Sequence, residues 1–261
     1  MLSKNTIKYI KSLSLKKFRE EYGVFIAEGP KLVSDLVQSK LKIENIYATK
    51  SWLDESPINS DASYTCVCIT EEELSKISQL TTANQVLAVV KIPVVPFDPE
   101  LAKQTLIITL DDIRDPGNLG TIIRIADWFG YRHILCSHTT VDAYNPKCVQ
   151  ATMGSITRVN VYYKNIVEIL SQSKEHVDIY GAFLKGQNIY NETLDNNGFL
   201  IIGNEASGIS PLIEKLVSRR LFIPSGNNTG SNAESLNASA AAAIICSEFF
   251  RRSQKTTNGK L

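Results

Sequence analysis

Three short strings in this 261-residue chain hold the side chains best suited to chemistry, and each begins where an apolar run gives way to a polar loop. In the first, Leu110-Asp111-Asp112-Ile113-Arg114-Asp115-Pro116-Gly117-Asn118-Leu119-Gly120-Thr121-Ile122-Ile123-Arg124, the Pro-Gly pair marks a turn and Asn118 reads as a helix N-cap. Leu119, Ile122, Ile123 and Ala126 make a helical apolar stripe that Gly130 ends. Arg124 then stands one turn beyond Gly120, on a polar side shared with Asp127, where a ligand or another backbone can come close. A fixed guanidinium suits a phosphate, although the same pattern describes a capped surface helix with a solvated arginine.

The second string, Phe199-Leu200-Ile201-Ile202-Gly203-Asn204-Glu205-Ala206-Ser207-Gly208-Ile209-Ser210-Pro211, leaves an apolar strand through glycine. It places Glu205 at the strand end and enters a helix capped by Ser210 with Pro211 in first position. Glu205 either faces a ligand crevice or bonds a neighbouring backbone N–H. The third runs from Leu221-Phe222-Ile223-Pro224 through a polar loop to Glu234-Ser235-Leu236-Asn237-Ala238-Ser239, then Ala240 to Ala243. Its alanine run predicts a helix slim enough for close packing, and Ser235 and Asn237 at its start are hard to explain as core.

The elements that must position these strings follow from the apolar pattern. Runs at Leu106 to Leu110, His133 to Cys136, Val159 to Tyr163, Ile179 to Leu184, Phe199 to Ile202 and Leu221 to Ile223 alternate with helix-like segments. That is the signature of a mostly parallel sheet with covered faces, whose ligands gather beyond the carboxyl ends of strands. Upstream, residues 7–13 and 15–22 read as two short basic helices. A strand at Val24 to Glu28, a helix at about Pro30 to Ser39, and strands near Ile43 to Ala48, Cys66 to Ile69 and Val86 to Lys91 follow. Three prolines between Lys91 and Pro99 mark a linker. The expected division is a small α/β domain at 1–92, a linker at 93–99, a second domain at 100–252 and a tail at 253–261. The biased stretch Gly226 to Asn232 reads as a mobile loop.

The charge is distributed unevenly. Residues 1–42 hold nine Lys and Arg against four acids, while the remainder is net acidic, so the front end is the one suited to a polyanion. Lys16, Lys17 and Arg19 are the expected phosphate contacts, close to Phe18 and Tyr22. No run approaches the roughly 18 apolar residues of a membrane helix, and the opening residues lack a signal peptide's apolar stretch, which points to the cytoplasm. Five scattered cysteines without a CxxC pair argue against a disulfide framework or a thiolate zinc site and read as reduced, mostly buried thiols. His133, His138 and His176 show no metal-ligand spacing.

Taken together, in this order and at strand ends, the strings resemble the SpoU/TrmH family of S-adenosylmethionine-dependent RNA ribose 2′-O-methyltransferases, within the SPOUT class. Asn118-Leu119-Gly120 with Arg124 matches the first family motif. Gly203-Asn204-Glu205 through Ser210 matches the second, and Ile223-Pro224 with Ser235 to Ser239 the third. The resemblance implies an α/β fold whose mostly parallel sheet carries a C-terminal trefoil knot, preceded by a small α/β RNA-binding domain. It implies that Gly203, Ile223 and Leu236 line the S-adenosylmethionine site through backbone groups, that no metal takes part, and that the protein is a homodimer. The slim helix after Asn237 and the helix from Asn118 would pack against the second copy. Arg124 would be catalytic, as base or as electrostatic stabiliser, with Asn118, Glu205, Ser235 and Asn237 positioning it, the ribose and the donor. Ribosomal RNA is favoured over transfer RNA by analogy with ribosomal RNA-binding modules. Two features depart from the family pattern: Ser225 to Glu234 is longer and more polar, and Ala206-Ser207 stands where glycine is common.

Competing classes lack their strings. GxGxxG, GxxxxGK[ST] and GxSxG are all absent, which argues against dinucleotide-dependent, P-loop and serine-hydrolase chemistry. The alternatives that stay open are a transfer RNA ribose methyltransferase and a non-catalytic RNA-binding protein on the same fold.

Overall fold

The computed structural model describes residues 1–56, 64–226 and 235–258, the last four of these by backbone alone. Its elements run in chain order α1 (Lys4–Ser12), α2 (Lys16–Tyr22), β1 (Val24–Glu28), α3 (Pro30–Val37), β2 (Ile43–Ala48), α4 (Lys50–Glu55), β3 (Thr65–Cys68), α5 (Glu71–Ile77) and β4 (Val86–Lys91). After the proline stretch come β5 (Leu106–Asp111), α6 (Pro116–Trp128), β6 (His133–Cys136), α7 (Pro146–Ala151), β7 (Asn160–Tyr163), α8 (Ile166–Ser173) and β8 (Ile179–Phe183). The chain then forms β9 (Gln187–Asn188), β10 (Gly198–Gly203), α9 (Pro211–Glu214), β11 (Arg219–Phe222) and α10 (Ala238–Asn258). Most of the loop expected to be mobile lies outside the described residues.

Two compact units form: Met1–Val94 with Asp142–Arg158, and Val95–Val141 with Val159–Leu261. The first is built on a four-stranded sheet of order β1-β4-β2-β3, antiparallel except where β3 pairs with β2. Ile10 of α1 and Leu13, which caps that helix, close its core against Ile26, Leu74, Ile77, Leu87 and Val89. Two helices escaped the sequence reading, α4 and α5. The second is started by a capping box, in which Thr70 accepts from the Glu73 N–H and Glu73 accepts from the Thr70 N–H.

The division by sequence needs one correction, because residues 142–158 pack with the first unit. Tyr144 meets Phe25 with ring centroids 4.9 Å apart. Asp142 accepts from Nε and Nη2 of Arg19 at 2.9 and 2.6 Å. Of the cysteines, Cys136, Cys148 and Cys246 are buried, whereas Cys66 and Cys68 are exposed on the edge strand β3.

The second unit is a seven-stranded sheet of order β7-β6-β5-β10-β8-β11-β9, parallel at each pairing. Ile107, Leu135, Tyr162, Leu170, Ile179, Phe199 and Ile201 share one buried cluster. Strand order reverses between β5 and β10: the chain leaves β5 toward β6 and β7, and returns to its other side through β8 and β10. Parallel sheets open a ligand crevice beyond the carboxyl ends of strands at such a switch point. Helices α6 and α10 pack against each other. Among the described residues no helix is long and apolar enough to cross a membrane.

Candidate functional site

The loops after β5 and β10 are stapled together at the switch point. Asp111, buried at the end of β5, accepts from the Ser210 N–H at 2.7 Å. Asn204 donates through Nδ2 to the Asp112 carbonyl at 2.8 Å, while its Oδ1 accepts from the N–H groups of Ala206 and Ser207 at 2.9 and 3.1 Å. Asn204 and Gly208 also exchange backbone hydrogen bonds, so the loop doubles back over Gly203. A Cβ on Gly203 would lie 2.4 Å from the Gly208 carbonyl carbon, closer than any side chain tolerates, which explains the glycine.

The N-cap of α6 is Asp115, whose carboxylate accepts from the Asn118 N–H at 2.8 Å, with Pro116 next in the chain. The expectation of Asn118 as N-cap is therefore corrected: proline prefers the first helical position, which moves the cap to the residue before it. This shift frees the Asn118 side chain. Its Nδ2 donates to Oε1 of Glu205, and its Oδ1 accepts from Nδ2 of Asn237 at 2.9 Å. Asn237 in turn caps α10, its Oδ1 accepting from the N–H and hydroxyl of Ser239 at 2.9 and 2.6 Å. One relay thus joins a residue from each of the three strings. Among the described residues neither neighbouring backbone nor core holds Glu205.

The remaining expected residues are placed differently. Arg124 is exposed and makes no hydrogen bond or ion pair among the described residues. Six positions along a helix turn a side chain about 120° away, so Arg124 leaves α6 on a different side from Asn118 and stays outside the relay. Gly203 closes β10, Ile223 follows β11 half-buried, and Leu236 is 48% exposed beside Asn237. Ser235 is exposed and makes no hydrogen bond among the described residues. Ser210 caps α9 by position, with no side-chain bond.

Of the three expected phosphate contacts, Lys16 is exposed and 3.6 Å from Glu20, and the Lys17 ammonium sits 5.8 Å from the Phe18 ring centroid. Arg19 is corrected. It is 2% exposed, and besides Asp142 it donates to the carbonyls of Leu13 and Ser14 at 2.8 Å each. Four of its five N–H donors are spent inside the fold and the side chain is buried, so it offers no open face to a phosphate.

Sequence reasoning missed Asp111, Asp115 and Asn204, the residues that hold the loops. The Asp-Pro pair at 115 and 116 was the available signal for the first cap. Nothing in the sequence shows that Asp111 and Asn204 reach across to another loop. No group of three or more metal-ligating side chains gathers among the described residues.

Comparison with known proteins gives a consistent picture. The pattern described as the SpoU rRNA Methylase family matches residues 105–247, and that of an MRM3-like substrate binding domain matches residues 4–88. The chain is 31% identical over 243 residues to the 23S rRNA (guanosine(2553)-2′-O)-methyltransferase RlmP of Bacillus subtilis, covering 92% of this chain and 93% of that one. Among solved structures it resembles a putative RNA methyltransferase of the TrmH family from Porphyromonas gingivalis, at 36% identity and a TM-score of 0.84. That match covers 97% of this chain and 99% of that one. It also resembles an AdoMet-bound rRNA methyltransferase from Sinorhizobium meliloti, at 25% identity and a TM-score of 0.80, covering 97% and 96% of the two chains.

Proposed function

The chain belongs to the SpoU rRNA methylase family, and from that premise we propose that it methylates a ribose 2′-hydroxyl of structured ribosomal RNA with S-adenosylmethionine. The observation that carries the reading is the relay from Asn237 through Asn118 to Glu205, at the carboxyl ends of the two strands where the sheet changes direction. S-adenosylmethionine supplies an electrophilic methyl on a sulfonium, whose sulfur leaves neutral and needs no acid. The residues present fit it. The backbone folded over Gly203 leaves main-chain groups at the crevice, Ile223 directly follows β11 of the same parallel sheet, and Leu236 keeps an apolar side chain in water where a planar base can cover it.

Glu205 spends one carboxylate oxygen on Asn118 and keeps the other for a ribose hydroxyl or a ligand N–H. Arg124 supplies positive charge. A guanidinium holds its proton at neutral pH, which suits it to clamping an RNA phosphate and stabilising the alkoxide that develops as the hydroxyl attacks. Ser235, exposed beside the relay and making no hydrogen bond among the described residues, orients substrate.

The reading includes a homodimer and a knotted C-terminal segment. Arg124 and Trp128 are one helical turn apart on α6, and Trp128 is 84% exposed. Phe250 of α10, 38% exposed, lies 5.7 Å from the Phe129 ring. A tryptophan left in water on the helix that packs against the alanine-rich one supports burial against a second copy. Residues 1–92 bind RNA, with Lys16 and Lys17 among the contacts, residues 100–252 hold donor and chemistry, and the protein works in the cytoplasm.

The test is a map of ribose methylation across total RNA with and without the protein. Loss of one site in ribosomal RNA is the expected result. Loss of a transfer RNA site would move the substrate, and an unchanged map would leave a non-catalytic RNA-binding protein.

A further inference from the structure

The first unit carries a cationic row that its own fold does not use. Helix α1 turns Ile10 fully inward and lays Ile7 and Tyr9 partly against the core. Lys4, Lys8 and Lys11, spaced i, i+4 and i+7, share the opposite side, are exposed, and span about 10.5 Å of helix axis. None has an ion-pair partner among the described residues. Lys4 sits in the first turn, where the helix dipole disfavours a cation, and Lys8 follows it at the i+4 spacing that sets like charges against each other. Helix α1 contains no acid to offset this. On α5, which packs against α1, Glu72 is held by Lys76, and Glu73 by the Leu2 and Thr70 N–H groups. The cations of α2 are in contrast largely engaged: Arg19 is buried, Lys16 faces Glu20 and Lys17 lies near the Phe18 ring.

A second feature lies on the same two helices. Tyr22, at the end of α2, is 41% exposed. It is braced edge-on by Tyr9, with centroids 5.1 Å apart at 71°, and stacked on Phe18 at 6.2 Å and 13°. A ring held by two others and left in water is a pre-formed stacking surface, since every nucleobase has a π-face to offer it. Bases inside an A-form helix are already stacked and cannot reach it.

We propose that α1 and α2 of the first unit together form a platform for an unpaired stretch of RNA, with Tyr22 stacking a base on the flank of α1 that carries Tyr9, and with Lys4, Lys8 and Lys11 holding the phosphates along its outer side. The inference rests on the RNA reading above and adds where, and in what conformation, RNA is gripped away from the methyl-transfer site. Affinity and salt dependence therefore reside chiefly in α1.

The experiment uses the full chain and a short labelled single-stranded oligoribonucleotide, alone and annealed to its complement, titrated at several salt concentrations. The variant K4Q/K8Q/K11Q should lose affinity and flatten the salt slope by about 2 log units, roughly 0.7 per contact. Tyr22→Ala should weaken single-strand binding roughly tenfold or more with the salt slope unchanged, and Tyr22→Phe should bind like the parent. Tyr22→Leu keeps Tyr9 and Phe18 covered while removing the π-face, and should behave as the alanine variant does. S-adenosylmethionine affinity should not move in any of them. Equal binding of strand and duplex with no effect of Tyr22→Leu, or an unchanged salt slope in the lysine variant, overturns the platform. So does sedimentation of the parent with phosphatidylserine vesicles, lost in the lysine variant, in place of RNA binding. A parent chain that binds no RNA at all would instead overturn the RNA reading itself.

Discussion

Asn237 and Asn118, 119 positions apart, are joined by a hydrogen bond of 2.9 Å from the amide nitrogen of the first to the amide oxygen of the second. The direction is imposed from the far end. An ionised Glu205 can only accept, so Asn118 must present its NH2 to the carboxylate and its carbonyl to Asn237. Asn237 then has its own carbonyl left for the first N–H groups of α10. Each amide is locked in one flip state, and the helix start, the middle loop and the carboxylate are set as a unit.

Replacing Asn118 should therefore damage catalysis more than folding. Asn118→Ala is expected to lower kcat/KM about tenfold or more, the cost of unpairing a charged acceptor. Asn118→Asp should do no better, because it sets a second carboxylate against Glu205. Both should melt close to the parent, since the relay is exposed. Single-turnover methylation beside a thermal melt is the check, and an active Asn118→Asp variant would refute the relay's role.

Arg124→Ala should abolish methyl transfer while leaving S-adenosylmethionine binding and the melting temperature nearly unchanged, because no described neighbour depends on its guanidinium. Arg124→Lys should also fail, since an ammonium cannot grip phosphate in two-pronged fashion. Calorimetry for the donor and a methyl-transfer assay on RNA separate the two effects. Substantial transfer by the alanine variant would remove Arg124 from the chemistry.

How much of this was legible in the sequence depends on the range of the forces involved. Strands such as Leu106–Asp111 and Gly198–Gly203 announced themselves as apolar runs, and Gly203, Glu205 and Asn237 stood at strand and helix ends where site residues belong. Cap competition was local and still misjudged, because Asp115 before Pro116 outranked Asn118. Long-range partners were out of reach. Arg19 looks like a surface cation until Asp142, 123 residues later, is folded against it. The staple from Asn204 to Asp112 is hidden for the same reason.

If Trp128 is covered by a second copy, a charge there should split the assembly. Trp128→Glu is expected to sediment as a monomer at micromolar concentration where the parent sediments as a dimer, with its melting temperature little changed because the ring is 84% exposed in the single chain. A monomeric parent would dispose of the dimer altogether.

Glu28 gives a prediction about pH. Burial pushes its carboxyl above the ordinary carboxylate value, against the opposing hydrogen bonds from the Ser78 hydroxyl and the Gln79 N–H. A carboxyl raised in the folded state favours folding while it is protonated, and that contribution fades as pH rises from the ordinary carboxylate value through the raised one. Glu28→Gln cannot ionise. Its melting temperature relative to the parent should therefore climb as pH rises above the ordinary carboxylate value of about 4.5 and level off once the raised value has been passed. A difference that stays flat across the range would mean burial does not dominate at this carboxylate.

Arg19 separates a structural cation from an RNA contact. Its guanidinium bridges Asp142 and the carbonyls of Leu13 and Ser14, with 2% of the side chain exposed, so it ties the turn between α1 and α2 to the segment that begins at residue 142. Removing one partner of a buried pair leaves the other charge without compensation, at a cost of about 3–5 kcal/mol. Arg19→Gln should accordingly shift the urea midpoint strongly downward. At temperatures where it remains folded, the salt dependence of its RNA binding should match the parent's, because no phosphate contact is lost. Lys17→Gln should show the reverse, with an unchanged midpoint and a salt slope reduced by about 0.7 if Lys17 meets a phosphate on single-stranded RNA. Urea melts and salt titrations on the same two proteins decide the matter. An Arg19→Gln variant of parental stability with a flattened salt slope would return Arg19 to the RNA-binding surface.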